Sequence, residues 1–113
     1  MNPINARRIL DTSPIVNFRY EREKLSCFET ASRRELALIE ENKGKVSIYV
    51  EIYPKHLPEA VMEKEYKPTP TNEGRHSNLQ YISANLGHSN LVYRMQIQSE
   101  DALNKFLHWY QYA

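Results

Sequence analysis

The segment 46–53 restricts the possible folds of this 113-residue chain more than any other. Every second position carries a β-branched side chain, and Pro54 follows the segment; the four positions are Val46, Ile48, Val50 and Ile52. A period of two is that of a β-strand, and branched side chains pack well on a pleated surface. The segment therefore predicts a strand that turns these four side chains toward the core, which excludes an all-helical fold.

Two further segments alternate in the same way. In 15–22 the apolar positions are Val16, Phe18 and Tyr20, so we expect these three on one face. In 91–98 one side carries Leu91, Tyr93, Met95 and Ile97. Segment 25–41 fits either a helix or two strands. Because turn-forming residues 42–45 stand directly before the strand at 46, we favour strands near 25–30 and 35–41 in an antiparallel meander.

Helices are predicted at both ends of the chain. Asn2 is a good N-cap for a helix over 3–11, which ends before Pro14. Ser99 can cap a helix over 100–111 whose apolar face includes Leu103, Phe106 and Leu107. A short helix is also predicted over 58–66. The fold class is therefore α+β, with an antiparallel sheet covered by N- and C-terminal helices and a long 54–90 connection.

Composition narrows the class of protein. Lys and Arg number 15 against 14 Asp and Glu, and 41% of residues are hydrophobic, as in ordinary folded domains. We expect a single domain over 1–113, either on its own or detached from a larger protein. Cys27 is the one cysteine, and no segment resembles a signal peptide or a membrane span, which indicates a cytoplasmic protein. No motif identifies a family.

The 67–94 region has the composition of a binding surface. Between 66 and 98 it carries three cations against one anion, together with many amide and aromatic side chains. Amides and arginines can hydrogen-bond base edges, and tyrosines and histidines can stack on bases. We therefore predict a non-enzymatic module that recognises nucleic acid, DNA first, with 67–90 as the functional loop. The candidate residues are Arg75, His76, Asn78, Tyr81, His88, Asn90 and Arg94.

This prediction assigns a role to each kind of side chain. Arg75 and Arg94 would contact phosphate or guanine, and asparagines would bind base edges. Arginines elsewhere could add phosphate contacts if they share a face; these are Arg7, Arg8, Arg19, Arg33 and Arg34. Because loop substitutions rarely touch a core, we expect Arg75→Ala to leave stability almost unchanged.

Two other classes of function stay open. A protein–protein interaction module, such as a small bacterial or phage regulator or inhibitor, would use exposed aromatic residues, here Tyr49, Tyr53, Trp109 and Tyr112. Third comes a metal-dependent nuclease, for which Glu65 and Lys67, or Glu41 and Lys43, form an acid-x-Lys pair and Glu51 is the upstream acid. The histidines lack the short spacing of zinc sites, so we expect neither a metal nor another cofactor.

Overall fold

An antiparallel sheet organises the protein. The computed structural model describes residues 1–41, 44–71, 75–76 and 78–113, and within them six strands form one sheet in the order β1-β2-β3-β4-β6-β5. The strands are β1 (Val16–Arg22), β2 (Leu25–Thr30), β3 (Glu35–Ile39), β4 (Val46–Val50), β5 (Ala60–Tyr66) and β6 (Val92–Ile97). The helices are α1 (Pro3–Thr12), α2 (Leu79–Ile82) and α3 (Glu100–Tyr110). This architecture confirms the α+β prediction.

Helices α1 and α3 cover one side of the sheet, called here the helix face. Both begin as the sequence indicates, because the Asn2 side chain accepts from the backbone N–H of Asn5 and the Ser99 hydroxyl accepts from that of Ala102. The buried core beneath them includes Val46, Ile48 and Val50 of β4 and Leu103, Phe106 and Leu107 of α3. Ile52 lies beyond the end of β4 and is partly buried against the same core. In the described part of the chain no helix is long and apolar enough to cross a membrane.

The described residues of the β5–β6 connection (67–71, 75–76 and 78–91) cover the opposite side of the sheet, called here the connection face. Leu79, Ile82 and Leu86 of this segment pack against Cys27 and Tyr49 of the sheet. All five residues of β4 are buried as a result. The sequence argument placed Tyr49 on an exposed outer face; that expectation is wrong, because the connection leaves it 2% exposed.

Strand β5 contradicts one sequence prediction, and strands β2 and β3 resolve the choice that the sequence left open over 25–41. The helix expected over 58–66 is wrong, because Ala60–Tyr66 is strand β5 and pairs with β6 along its length. The long 54–90 connection thus contains β5 and α2. The open choice over 25–41 resolves as strands β2 and β3. Of the turn expected at 42–45, residues 42–43 lie outside the described residues, as do 72–74 and 77 of the loop.

A β-bulge at Arg19 changes which face β1 presents. Phe18 pairs with Phe28, but the next paired residue, Tyr20, is opposite Cys27, so Arg19 is an extra residue. Before the bulge, Phe18 lies on the helix face with its ring 5.7 Å from that of Phe28. After the bulge, Tyr20 and Arg22 belong to the connection face. The expectation that Val16, Phe18 and Tyr20 share a face is therefore wrong, because one inserted residue reverses the alternation.

The other edge strand carries a second bulge, at Glu63. Met62 pairs with Met95, and the next pair joins Lys64 to Arg94. The extra residue, Glu63, contacts Lys45 and Arg94. Both edge strands thus direct polar side chains onto the connection face, beside the segment that covers it. Bulges commonly re-aim side chains in this way.

Candidate functional site

A polar cleft opens on the connection face where β3 ends and β4 begins. Its volume is about 350 Å³. The lining residues are Ile39, Glu41, Lys45, Ser47, Tyr49, Arg75, His76 and Arg94. The fold therefore brings together three of the seven candidate residues, namely Arg75, His76 and Arg94. The sequence pattern does not predict that Lys45 and Ser47 lie beside these three residues. The cleft is formed by the bulge at Glu63 and by the β5–β6 connection, and neither is visible in the sequence.

Ion pairs and hydrogen bonds fix the charged side chains on one side of the polar cleft. Lys45 Nζ donates to Glu63 Oε2 at 2.7 Å, and Arg94 Nε lies 3.5 Å from Glu63 Oε1. Burial alone would raise the pKa of Glu63, but Lys45, the nearby Ser47 hydroxyl and Arg94 outweigh burial and hold that pKa below its ordinary value. Arg94 Nη1 also donates to the Tyr66 hydroxyl at 3.0 Å. Burial raises the pKa of Tyr66 to about 12, so this phenol stays neutral.

His76 is fixed on the opposite side of the polar cleft. Its backbone N–H donates to the Tyr49 hydroxyl at 3.2 Å. Its ring atom Nδ1 accepts from the backbone N–H of Asn78 at 3.2 Å, so the neutral ring carries its proton on Nε2. Nε2 lies 3.5 Å from Glu41 Oε1. His76 thus offers a hydrogen-bond donor at this position, and the contact of Asn78 is made by its backbone.

Arg75 acts chiefly as an internal brace. It is 7% exposed, and its terminal nitrogens donate to backbone carbonyls of the surrounding chain. The acceptors are Leu86 at 3.2 Å, Gly87 at 2.5 Å, Lys67 at 3.1 Å, Asn90 at 2.7 Å and Tyr66 at 3.5 Å. The expectation that Arg75→Ala leaves stability unchanged is at odds with this geometry, because buried carbonyls would lose their donor.

His88 and Asn90 also hold the connection together. His88 Nδ1 lies 2.9 Å from the carbonyl oxygen of Thr69, and Asn90 Nδ2 donates to that of Ala84 at 3.0 Å. The His88 contact joins the arm that follows β5 (67–71) to the arm that precedes β6 (83–91), whereas the Asn90 contact lies within the second arm. Neither lines the polar cleft.

Tyr81 belongs to a separate surface on the same side of the sheet. We call it the arginine–tyrosine surface; its members are Arg19, Tyr20, Arg22, Arg33 and Tyr81. The Arg22 guanidinium lies 4.4 Å from the centre of the Tyr81 ring, and that of Arg19 lies 5.9 Å from the Tyr20 ring. Tyr20 is 57% exposed and Tyr81 60%. A hollow of about 490 Å³ runs among Arg19, Tyr20, Arg33 and Tyr81.

Positive charge predominates on the arginine–tyrosine surface. Arg19 lies 3.8 Å from Glu29, whereas Arg22 and Arg33 form no ion pair with any residue that the structure describes. Glu35, which also lines the hollow, is 7% exposed and accepts from the backbone N–H of Asn85. Glu23 and Lys24, in the turn after Arg22, carry opposite charges and so add no net charge. Of the five arginines named from sequence, Arg19 and Arg33 share this surface. Arg7 and Arg34 instead pair with acids elsewhere, and Arg8 lies near Glu100.

The aromatic set considered for a protein partner does not form one surface. Tyr49 is buried, and the Tyr53 hydroxyl donates to the carbonyl of Ala60 at 2.7 Å. Trp109 is half-buried, with its ring 5.2 Å from that of His56. Tyr112 alone of the four is strongly exposed, at 86%. Of the four side chains that this alternative needs, the fold thus leaves only Tyr112 largely exposed for a partner.

The acids considered for a nuclease are also dispersed. Glu51 accepts from Arg34 and from the backbone N–H of Glu35, whereas Glu65 is exposed on edge strand β5. Across residues 1–41, 44–71, 75–76 and 78–113 no group of three or more His, Cys, Asp or Glu side chains is placed to hold a metal ion.

Cys27 should be unreactive in the folded protein. Its side chain is fully buried, and burial, followed by the charge of Glu35, raises the pKa of the thiol well above its ordinary range. We expect 5,5′-dithiobis(2-nitrobenzoic acid) to label the native protein at least ~100-fold more slowly than the protein in concentrated urea. Rapid stoichiometric labelling without denaturant would contradict this burial.

Comparison with known proteins gives no family or neighbour. No protein family matches the chain, and neither a curated protein nor a solved structure shows significant similarity to it.

Proposed function

We propose that the protein is a non-enzymatic module that binds single-stranded nucleic acid, DNA first, on the arginine–tyrosine surface. The observation that carries this proposal is the exposed pair of tyrosine rings, Tyr20 and Tyr81, each with an arginine beside it. Exposed aromatic rings stack on unpaired bases, and nearby arginines neutralise the backbone. Each kind of side chain thus has a distinct task in binding.

Single strands fit this surface better than a duplex does. The bases of a duplex stack on one another, so a tyrosine ring reaches their faces only after they separate. The hollow beside Tyr20 and Tyr81 leaves room for a base next to each ring. Arg22 and Arg33, which pair with no acid among the described residues, can then meet phosphates. RNA would use the same contacts, so DNA and RNA are compared directly in the test.

Local charge supports the proposal despite a net charge of only +1. Nucleic-acid affinity depends on the field at the binding surface, and the three arginines there outnumber Glu29 and Glu35, the two acids that line the same hollow. Arg19 is placed in this group by the bulge, and Arg33 by the turn between β2 and β3.

Removing the Tyr81 ring should weaken binding. We expect Tyr81→Leu to cost about 1–3 kcal/mol, the usual contribution of one base–aromatic stack. Arg22→Ala should also weaken binding and reduce the salt slope by about 0.7 for a single strand, because one phosphate contact is lost. The measurement is fluorescence anisotropy with labelled strands of about 16 nucleotides, which exceed the site of a small domain, at two salt concentrations.

Matched controls come from exposed residues elsewhere in the chain. Tyr112→Leu removes an exposed tyrosine at the C-terminus, and Arg8→Ala removes an arginine beside α3; neither should change binding. The proposal fails if no strand binds more tightly than about 100 μM at low salt, which is the weak end of non-specific binding. It also fails if Tyr81→Leu and Tyr112→Leu behave alike.

A further inference from the structure

The polar cleft brings together more cations than anions. Lys45, Arg75 and Arg94 all line it, and the carboxylates in contact with the lining are Glu41 at the rim and Glu63. Three cations and two anions leave a charge of +1, with His76 adding a donor. Like charges brought together raise the energy of a fold unless an anion compensates them. The excess charge indicates that an anionic ligand belongs here.

A buried donor in the polar cleft strengthens this indication. Arg75 Nε is buried and has no hydrogen-bond partner among the residues that the structure describes. Ser47 Oγ and Glu63 Oε1 also lack a well-aligned hydrogen bond there, but the Ser47 hydroxyl lies beside the Glu63 carboxylate and Arg94 Nε is 3.5 Å from Oε1. Buried polar groups nearly always have a partner, so the orphaned guanidinium N–H calls for an acceptor. A ligand that only accepts hydrogen bonds would satisfy it, and the Ser47 hydroxyl could turn to donate to the same ligand.

We propose that the polar cleft is a binding site for a phosphate group. Its oxygens would accept from Ser47 Oγ and Arg75 Nε, and from Lys45, Arg94 and the Nε2–H of His76 at the rim. A phosphate carries several strong acceptor oxygens and up to two negative charges, which suits donors arriving from several directions. The volume of about 350 Å³ also accommodates the sugar to which a phosphate would be attached.

The donors are held in place before any ligand arrives. Arg75 is fixed by backbone carbonyls, Arg94 by the Tyr66 hydroxyl, and Lys45 by Glu63. The backbone N–H of Asn78 keeps the ring of His76 in the form that carries its proton on Nε2. Little side-chain freedom would be lost on binding, which favours affinity. Glu63, paired with both Lys45 and Arg94, positions these cations and does not leave an isolated negative charge.

Inorganic phosphate is the first probe. We expect it to shift the backbone amide signals of Lys45, Ser47 and His76 in ¹⁵N-resolved NMR spectra and to raise the melting temperature, relative to chloride at equal ionic strength. Ser47→Ala keeps the volume almost unchanged, and loss of one hydrogen bond to an anion should weaken phosphate binding about tenfold. Lys45→Gln should weaken it at least as much. Lys105→Gln, which removes a lysine paired with Asp101 on α3, should leave it unchanged.

A second arm identifies where the phosphate comes from. One strand is compared with a 5′-phosphate and with a 5′-hydroxyl, and a free 5′-mononucleotide is titrated separately. A gain in affinity from the 5′-phosphate that Ser47→Ala removes supports a strand end as ligand; binding of the mononucleotide alone supports a free nucleotide. If phosphate shifts no cleft signals, or Ser47→Ala and Lys105→Gln behave alike, the inference is overturned. Tyr81→Leu tests the arginine–tyrosine surface independently, so either proposal can fail without the other.

Discussion

Replacing Phe106 with alanine should lower the free energy of unfolding by about 3–5 kcal/mol, the usual cost of truncating a buried phenylalanine. Phe106 is fully buried in the middle of α3. Its ring stacks on Tyr110 with centres 4.7 Å apart and lies 6.1 Å from Trp109. Alanine would leave a cavity between α3 and the sheet, and neighbouring rings can fill it only in part.

Urea denaturation followed by circular dichroism measures this loss as a lower midpoint at unchanged slope. Tyr112→Ala provides the comparison, because this side chain is 86% exposed and its removal should cost little. A loss below about 0.5 kcal/mol for Phe106→Ala would match a surface position and would contradict the packing of α3 on the helix face.

The parts of the fold that the sequence predicts correctly have local causes. Strand β4 follows from alternation within one short segment, and α3 follows from the Ser99 cap and an apolar stripe. In both elements the side chains that reach the core recur at the period of the element itself. No partner elsewhere in the chain needs to be known.

The parts that the sequence misses have non-local causes. Residues 60–66 have a composition that suits a helix, and only pairing with β6 makes them a strand. The bulges at Arg19 and Glu63 each insert one residue, and such an insertion leaves no mark on composition. Because the bulge at Arg19 moves Tyr20 and Arg22 to the connection face, the sequence could name Tyr81 without naming the arginine beside it.

The candidate site shows the same division between chemistry and placement. Sequence reasoning chose Arg75 and His88 because their side chains can bind a ligand. In the fold the terminal nitrogens of Arg75 and the Nδ1 of His88 are turned toward carbonyl groups of the chain itself. The type of side chain determines which hydrogen bonds a residue can form. The path of the β5–β6 connection determines whether the partners are groups of the protein itself or of a ligand.

Replacing Arg75 with alanine should lower the free energy of unfolding by at least about 3 kcal/mol, because each hydrogen bond from a charged donor is worth roughly 1.5–3 kcal/mol and several are lost. The affected acceptors include the carbonyls of Lys67, Gly87 and Asn90. These groups lie on both arms of the β5–β6 connection. Without Arg75 the arms keep the contact of His88 with Thr69 but lose the side chain that bonds to several carbonyls on both, and the connection face should open to water.

Hydrogen exchange distinguishes this opening from uniform destabilisation. In Arg75→Ala the amides of Leu79, Ile82 and Leu86 should exchange faster relative to those of α3, because the segment over the connection face opens before the sheet does. Arg75→Lys keeps the charge but cannot reach carbonyls in several directions, so it should recover only part of the loss. If Arg75→Ala loses less than about 1 kcal/mol and exchange is unchanged, the carbonyls do not depend on this side chain. The bracing role would then be refuted, and the terminal nitrogens of Arg75, as well as Nε, would be left for the ligand contact that its chemistry first indicated.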